Sequence, residues 1–225
     1  MHAAKRYARN RAGLVRFAVI GRNGVMHSLD GARTAPMAST FKVMLLATYL
    51  RQHSVRHRNL NDSDKDLLDP MITRSDSTAA TRVRDIVGVD AIIRLAHDVG
   101  MRDFSYNSVW GLSRDSSRDQ ARFMYHLERF IPPEHRHYAH KLLSSIIPSQ
   151  RWGIGRVRPR GWKLFFKGGW GSGSGAVDHQ VALLKRHGER VSVAILTESD
   201  PSHAYGKATL RGVAARLLHG LSNAG

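Results

Sequence analysis

Apolar residues fall in short runs along the chain, and the period within each run indicates its element. Leu14–Ile20 is rich in β-formers, Gly21-Arg22-Asn23-Gly24 is a turn ending on Asn-Gly, and 25–29 can return, which predicts a hairpin. A loop carrying Gly31 and Pro36 leads to Ser39, from which a helix is predicted to about Gln52. A polar, basic linking segment follows over 51–61, and from Asp62 to about Gln150 the pattern is helical. Helices are predicted over 64–74, over 78–87 stopped by Gly88, and over 90–99 stopped by Gly100. Ser117 and Gln120 form a capping-box signature for a helix to about Phe130, and Pro132-Pro133 separates it from a helix over 134–147. Residues 101–116 have no clear period but hold Tyr106, Asn107, Trp110 and Gly111, which reads as an ordered loop over a site. Strands are predicted over 163–167, Val177–Arg186 and 191–197, a loop over 168–175, and a closing amphipathic helix over 205–219. The order of strands, helices, strands and helix fits a sheet built from both ends of the chain around a helical insertion.

Composition narrows this picture. The 225 residues contain no cysteine, so disulfides and thiolate metal sites are excluded. No apolar run approaches the ~20 residues of a membrane span, which argues against an integral membrane protein. The basic segment 1–13 lacks the apolar middle of a signal peptide, so the expectation is a cytoplasmic protein or a chain that begins after a removed leader. The net charge is +17, with 27 Arg against 8 Lys. Such charge attracts polyanions, but the basic residues are scattered and no nucleic-acid-recognition motif accompanies them. Non-specific polyanion contact is therefore expected, without specific nucleic-acid binding. The thirteen His are also scattered, and no metal site or cofactor is expected.

Three stretches carry candidate chemistry. In Ser39-Thr40-Phe41-Lys42, residues three apart share a helix face, which sets the Lys42 amine beside the Ser39 hydroxyl. A serine is a weak nucleophile until a base takes its proton, and a lysine serves as that base when burial lowers its pKa. The apolar run 43–47 supplies such burial, although composition alone makes one such spacing ordinary. Ser75-Asp76-Ser77 lies between two predicted helices, where an N-cap is the simplest reading. Lys167-Gly168-Gly169 ends a predicted strand, where a glycine turn is the simplest reading.

Taken together and in this order, the three resemble the Ser-x-x-Lys, Ser-Asp-Asn and Lys-Thr-Gly set of class A β-lactamases and penicillin-binding proteins. The flanks 69–80, Trp110-Gly-Leu-Ser with 115–124, and Pro148-Ser-Gln-Arg-Trp-Gly are similar to the same family, and the likeness spans roughly residues 14–220. The resemblance implies an α/β (α+β) fold: an antiparallel sheet from both chain ends with flanking helices, plus an all-helical lobe. A single domain is expected, its α/β lobe formed by 1–57 and 158–225 and its helical lobe by 58–157. It implies that Ser39 is acylated, that Lys42 activates it, and that Ser75 relays a proton to the leaving nitrogen. Lys167 would bind the substrate carboxylate and polarise Ser75. Ser77, Gly169 and Trp170 would line the substrate, with the Ser39 and Trp170 N–H groups as oxyanion donors.

The departures bear on turnover. Ser77 replaces the usual Asn, Gly168 replaces the usual Thr or Ser, and no glutamate lies between Ser75 and Leu127 to activate a deacylating water. Asp115 is expected to pair with Arg114 or Arg118, and Asp119 to serve a helix N-terminus. The expected activity is thus a serine hydrolase that acylates on Ser39 with β-lactams or related amides and esters, deacylates slowly and acts on β-lactam or peptidoglycan-type substrates. The alternatives are a catalytically weak wall-polymer-binding member of the fold and a basic nucleic-acid-binding protein. Family habit implies an exported location, extracellular or wall-associated.

Overall fold

The computed structural model describes residues 1–171 and 176–221. A short helix, α1 (His2–Arg9), precedes the hairpin β1 (Leu14–Ile20) and β2 (Met26–Leu29). The sequence pattern did not reveal α1: a basic helix whose buried positions are two alanines, Ala4 and Ala8, has little apolar signal. β3 (Thr34–Pro36) leads into a 3₁₀ turn, Ala38–Thr40, and then into α2 (Phe41–Leu50). Next come α3 (Asp62–Thr73), α4 (Ser77–Val87) and α5 (Val89–Val99). β4 (Arg114–Ser116) and α6 (Ser117–Tyr125) follow, then α7 (Pro133–Ser144), β5 (Lys163–Gly171), β6 (Val177–Arg186), β7 (Glu189–Glu198) and α8 (His203–Leu218).

The main sheet is antiparallel with strand order β2-β1-β7-β6-β5, so both chain ends contribute to it. β6 is buried from Val177 to Leu184 and β7 from Val191 to Thr197, which requires cover on both faces. α8 and α6 both pack on these central strands, α1 packs on α8, and α7 packs on β5. Residues 117–125 of the expected helical lobe therefore lie against the sheet. The other insertion helices, α3, α4 and α5, surround α2. All ten residues of α2 are buried, as a helix apolar all round requires. Among the described residues no helix is long and apolar enough to cross a membrane.

Local chemistry sets the ends that matter. Asn61 and Asp64 form a capping box at the start of α3, each side chain accepting from the other's backbone N–H at 2.9 and 2.8 Å. The expected Ser117/Gln120 box does not form. Ser116 caps α6 by accepting from the Asp119 N–H at 3.2 Å, and Gln120 turns inward to accept from the Thr40 hydroxyl at 3.0 Å. β3 and β4 pair as a separate two-stranded sheet that ties the segment before Ser39 to the segment after the 101–113 loop. The expected 168–175 loop is corrected in part: β5 stays paired with β6 through Gly171, opposite Val177, and residues 172–175 lie outside the described residues.

Candidate active site

Ser39 sits in the 3₁₀ turn rather than in α2, and Lys42 is the second residue of α2. In a 3₁₀ turn, residues three apart eclipse, so the spacing still brings the groups together: Lys42 Nζ is 2.9 Å from Ser39 Oγ. Ala38, just before Ser39, has φ +47°, in the left-handed region where a side chain costs roughly 1–2 kcal/mol. The Met37 N–H donates to the Ser113 carbonyl at 2.7 Å and helps to hold the turn.

Ser75 lies between α3 and α4 and also has positive φ, +61°. The corner is closed by the backbone: the Asp76 N–H donates back to the Pro70 carbonyl, inside α3, at 3.0 Å. Asp76 caps α4, accepting from the Ala79 N–H at 2.8 Å, as the simplest reading of this stretch required. Lys42 holds the corner: its Nζ donates to the Ser75 carbonyl at 2.5 Å and lies 3.1 Å from Ser75 Oγ and 3.4 Å from Ser77 Oγ. From the sheet side, Lys167 Nζ donates to Ser75 Oγ at 2.9 Å and to the Gly168 carbonyl at 2.8 Å. Ser39, Lys42, Ser75, Ser77 and Lys167 thus form one polar cluster, with Ser75 Oγ between two amines.

Burial dominates the electrostatics. Desolvation pushes the Lys42 amine down to about 8, against the opposing pull of Asp76. Lys167 is 0% exposed, and burial together with the Lys42 charge pushes it well below the usual lysine range. A lysine with a pKa near 8 has a usable fraction of free amine at neutral pH, which can accept the Ser39 proton. Lys167 does not line the cleft beside Ser39, and its donated hydrogen bonds go to Ser75 and Gly168. The geometry therefore ties it to Ser75.

Gly169 is where β5 meets the turn. A Cβ built on it would lie 2.8 Å from the Ser39 nitrogen and 2.9 Å from the Thr40 nitrogen, so only glycine permits this approach. A Cβ at Gly168 would meet the Trp152 ring at 3.1 Å. Both glycines mark close approach rather than a turn. Trp170, the next residue, lines an open cleft of about 900 Å³ with Ala38, Ser39, Ser77 and the 109–112 segment. The 101–116 loop does border the site: the Trp110 ring lies 5.0 Å from Lys42 Nζ, and its Nε1–H donates to Thr81 Oγ1 at 3.1 Å.

Of the two expectations about acidic residues, the Asp115 pairing fails, while Asp119 does lie in the first turn of α6. Asp115 is fully buried on β4, and its carboxylate oxygens have no hydrogen-bond partner of normal geometry among the described residues. Arg114 turns to Thr34 and Arg118 pairs with Asp103, so neither meets Asp115. Burial, with the Asp119 charge, pushes the Asp115 carboxyl well above its usual range, outweighing the pull of the Ser116 N–H. Asp119 accepts from the Asp103 N–H at 2.8 Å and pairs with Arg122, so it joins the loop to α6 rather than serving only the helix terminus. Among the described residues no glutamate lines the cleft, and its acidic residues are Asp178 and Asp200. Sequence reasoning passed over both, although three polar residues in a row, Asp178-His179-Gln180, inside an apolar strand were a signal.

A family model described as the beta-lactamase enzyme family matches residues 57–221, a span that begins after Lys42. Among solved structures, a β-lactamase from Sphaerobacter thermophilus is similar at 22% identity, covering 97% of this chain and 95% of that one, with a TM-score of 0.85. PBP-A is similar at 15% identity, with coverage of 98% and 94% and a TM-score of 0.81. An ancestral class A β-lactamase is similar at 18% identity, with coverage of 96% and 97% and a TM-score of 0.80. No curated protein matches the chain.

Proposed function

Because this chain belongs to the beta-lactamase enzyme family and is a hydrolase of that type, we propose that it forms an acyl-enzyme on Ser39 with β-lactams or related amides and esters and releases it slowly. The observation that carries this reading is the contact of Lys42 Nζ with Ser39 Oγ at 2.9 Å, made by an amine with a pKa pushed down to about 8. In this reading, free Lys42 takes the Ser39 proton as the oxygen attacks the substrate carbonyl. The Ser39 and Trp170 N–H groups stabilise the oxyanion. The carbon–nitrogen bond then breaks, and Ser75 Oγ, which touches both amines, passes a proton to the leaving nitrogen. Ser77, at the cleft wall, contacts the bound acyl group.

Deacylation needs a base on a water, an effect worth typically 10²–10⁴ in rate. Asp115, the acidic residue nearest in sequence to the missing glutamate, is buried away from the cleft, which supports slow release. Intact-protein mass spectrometry after mixing with a penicillin, a cephalosporin and a fluorogenic ester tests the reading. The expected result is one acyl adduct per protein, absent from Ser39→Ala and persisting after free substrate is removed. Unmodified protein with all three, or rapid turnover of a chromogenic cephalosporin with no adduct, would refute it.

A further inference from the structure

The cleft has a second end, lined by Asp178, Asp200 and His203, whose charge runs against that of the protein. The chain has 35 Lys and Arg and a net charge of +17, yet none of these cations lines the cleft. Asp178 stands on β6 directly across from Trp170 on β5, about one strand spacing, ~4.8 Å, away. It is 2% exposed, and Asp200 is 5% exposed. Among the described residues the only ion pair of Asp178 is with His203, whose Nδ1 lies 2.6 Å from Asp178 Oδ1. Asp200 has no ion pair among the described residues, and its Oδ1 has no hydrogen-bond partner among them. The single proton of the Thr197 hydroxyl is shared between the Asp178 carbonyl and Asp200 Oδ2, so it fully serves only one of them.

The carboxylates also crowd each other. A Cβ on Gly206, in the first turn of α8, would lie 2.1 Å from Asp178 Oδ2 and 2.7 Å from Asp200 Oδ2, so the two oxygens converge there. Burial and the Asp200 charge push the Asp178 carboxyl up to about 7. Lys207 and Arg11 pull weakly on the pair without contacting it. Burial and Lys207 push His203 down, toward its neutral form. A neutral His203 that donates Nδ1–H to Asp178 presents Nε2 as an acceptor, and the ring is 44% exposed at the cleft. At neutral pH Asp178 is about half protonated, so the pair can accommodate an incoming cation by releasing that proton; the wall otherwise offers acceptors, two of them poorly satisfied carboxylate oxygens. An alkylammonium ion has three donors and no acceptor.

We propose that Asp178, Asp200 and His203 form a subsite for a primary ammonium group on the substrate, so the preferred acyl donor carries a positive charge beyond the bond attacked by Ser39. The inference rests on the acyl-enzyme reading for its place in the reaction, but binding tests it separately. Ser39→Ala is titrated with three thioesters, following the fluorescence of Trp170 and Trp152, whose rings lie 6.1 and 5.5 Å from the His203 ring. The probes are Nα-acetyl-lysyl, Nα-acetyl-norleucyl and norleucyl with a free α-amine, which separate a side-chain ammonium from an α-ammonium. A hydrogen bond to a charged group contributes about 1.5–3 kcal/mol, so one ammonium probe should bind roughly 10- to 100-fold tighter than the neutral one. Asp200→Asn and Asp178→Asn, each checked for folding by thermal melt, should shrink that ratio toward one. Equal binding of all three probes, or a preference unchanged in both folded variants, would overturn the subsite. Acylation of active protein by the same probes is read separately: tight ammonium binding without a Ser39 adduct would leave the subsite standing and remove the acyl-enzyme reading.

Discussion

Adding one methyl group at Gly169 tests how tightly β5 must approach the Ser39 turn. Ordinary contact begins at 3.4 Å, and the new Cβ would lie 2.8 Å from the Ser39 nitrogen, a shortfall of 0.6 Å. The Thr40 nitrogen at 2.9 Å and the Met37 carbonyl oxygen at 3.2 Å crowd it as well. All three are backbone atoms and cannot rotate away, so β5 and the turn must separate. That separation moves the Ser39 and Trp170 N–H groups apart. A misplacement of ~1 Å can cost about 10²-fold in rate, and losing one oxyanion donor costs about 10²–10³. Gly169→Ala should therefore slow acylation about 100-fold and lower stability by about 1–3 kcal/mol, the usual range for overpacking. Gly168→Ala is the comparison, because its new Cβ crowds a side chain, the Trp152 ring at 3.1 and 3.2 Å, rather than the backbone of the Ser39 turn. Burst rates with a chromogenic cephalosporin, read beside circular-dichroism melts, give both quantities. A folded Gly169→Ala variant that acylates within threefold of wild type would refute the close-approach argument.

Acylation should rise with pH through about 8 and then level off, because the free Lys42 amine is the base, with roughly a tenth of the plateau rate at pH 7. A rate flat from pH 6 to 9 would exclude Lys42 from that role. Lys167→Met keeps the buried stem but removes an amine that burial already disfavours, so the melting temperature should hold or rise while acylation falls at least 100-fold. Acylation within threefold of wild type would detach Lys167 from the reaction. Asp115 is raised in the folded state, so it favours folding most at acid pH and that contribution is lost as pH rises above its unfolded value. Melts from pH 4 to 7 should fall less steeply in Asp115→Asn than in wild type, and parallel curves would contradict the assignment.

The sequence pattern was legible where one element decides its own ends. β1 begins and ends as its apolar run does, and α4 and α5 stop at Gly88 and Gly100, both at positive φ. It failed where distant contacts decide. β3 and β4 are three residues each and exist because 34–36 meets 114–116. β5 continues through Gly168 and Gly169 because they stay paired with Gln180 and His179 of β6, whereas composition alone reads such glycines as a loop. In the candidate site, the Ser39/Lys42 spacing and the position of Ser75 between two helices were readable. The burial that removes Lys167 from the cleft and the meeting of Asp178 with Asp200 depend on tertiary packing.

The complete burial of α2 has a consequence for how the site responds to damage. A helix covered on every side cannot open alone, because its backbone exchanges with solvent only when α3, α4 and α5 come away from it. Lys42 is carried on this fully buried helix, and Ser39 is anchored at its start. The 109–112 segment and His203 are only partly covered and open at lower cost. Destabilising changes in the surrounding helices should therefore lower the number of active molecules while each folded molecule keeps its Ser39–Lys42 geometry. Loss of activity under heat would follow cooperative unfolding rather than gradual loosening of the catalytic pair.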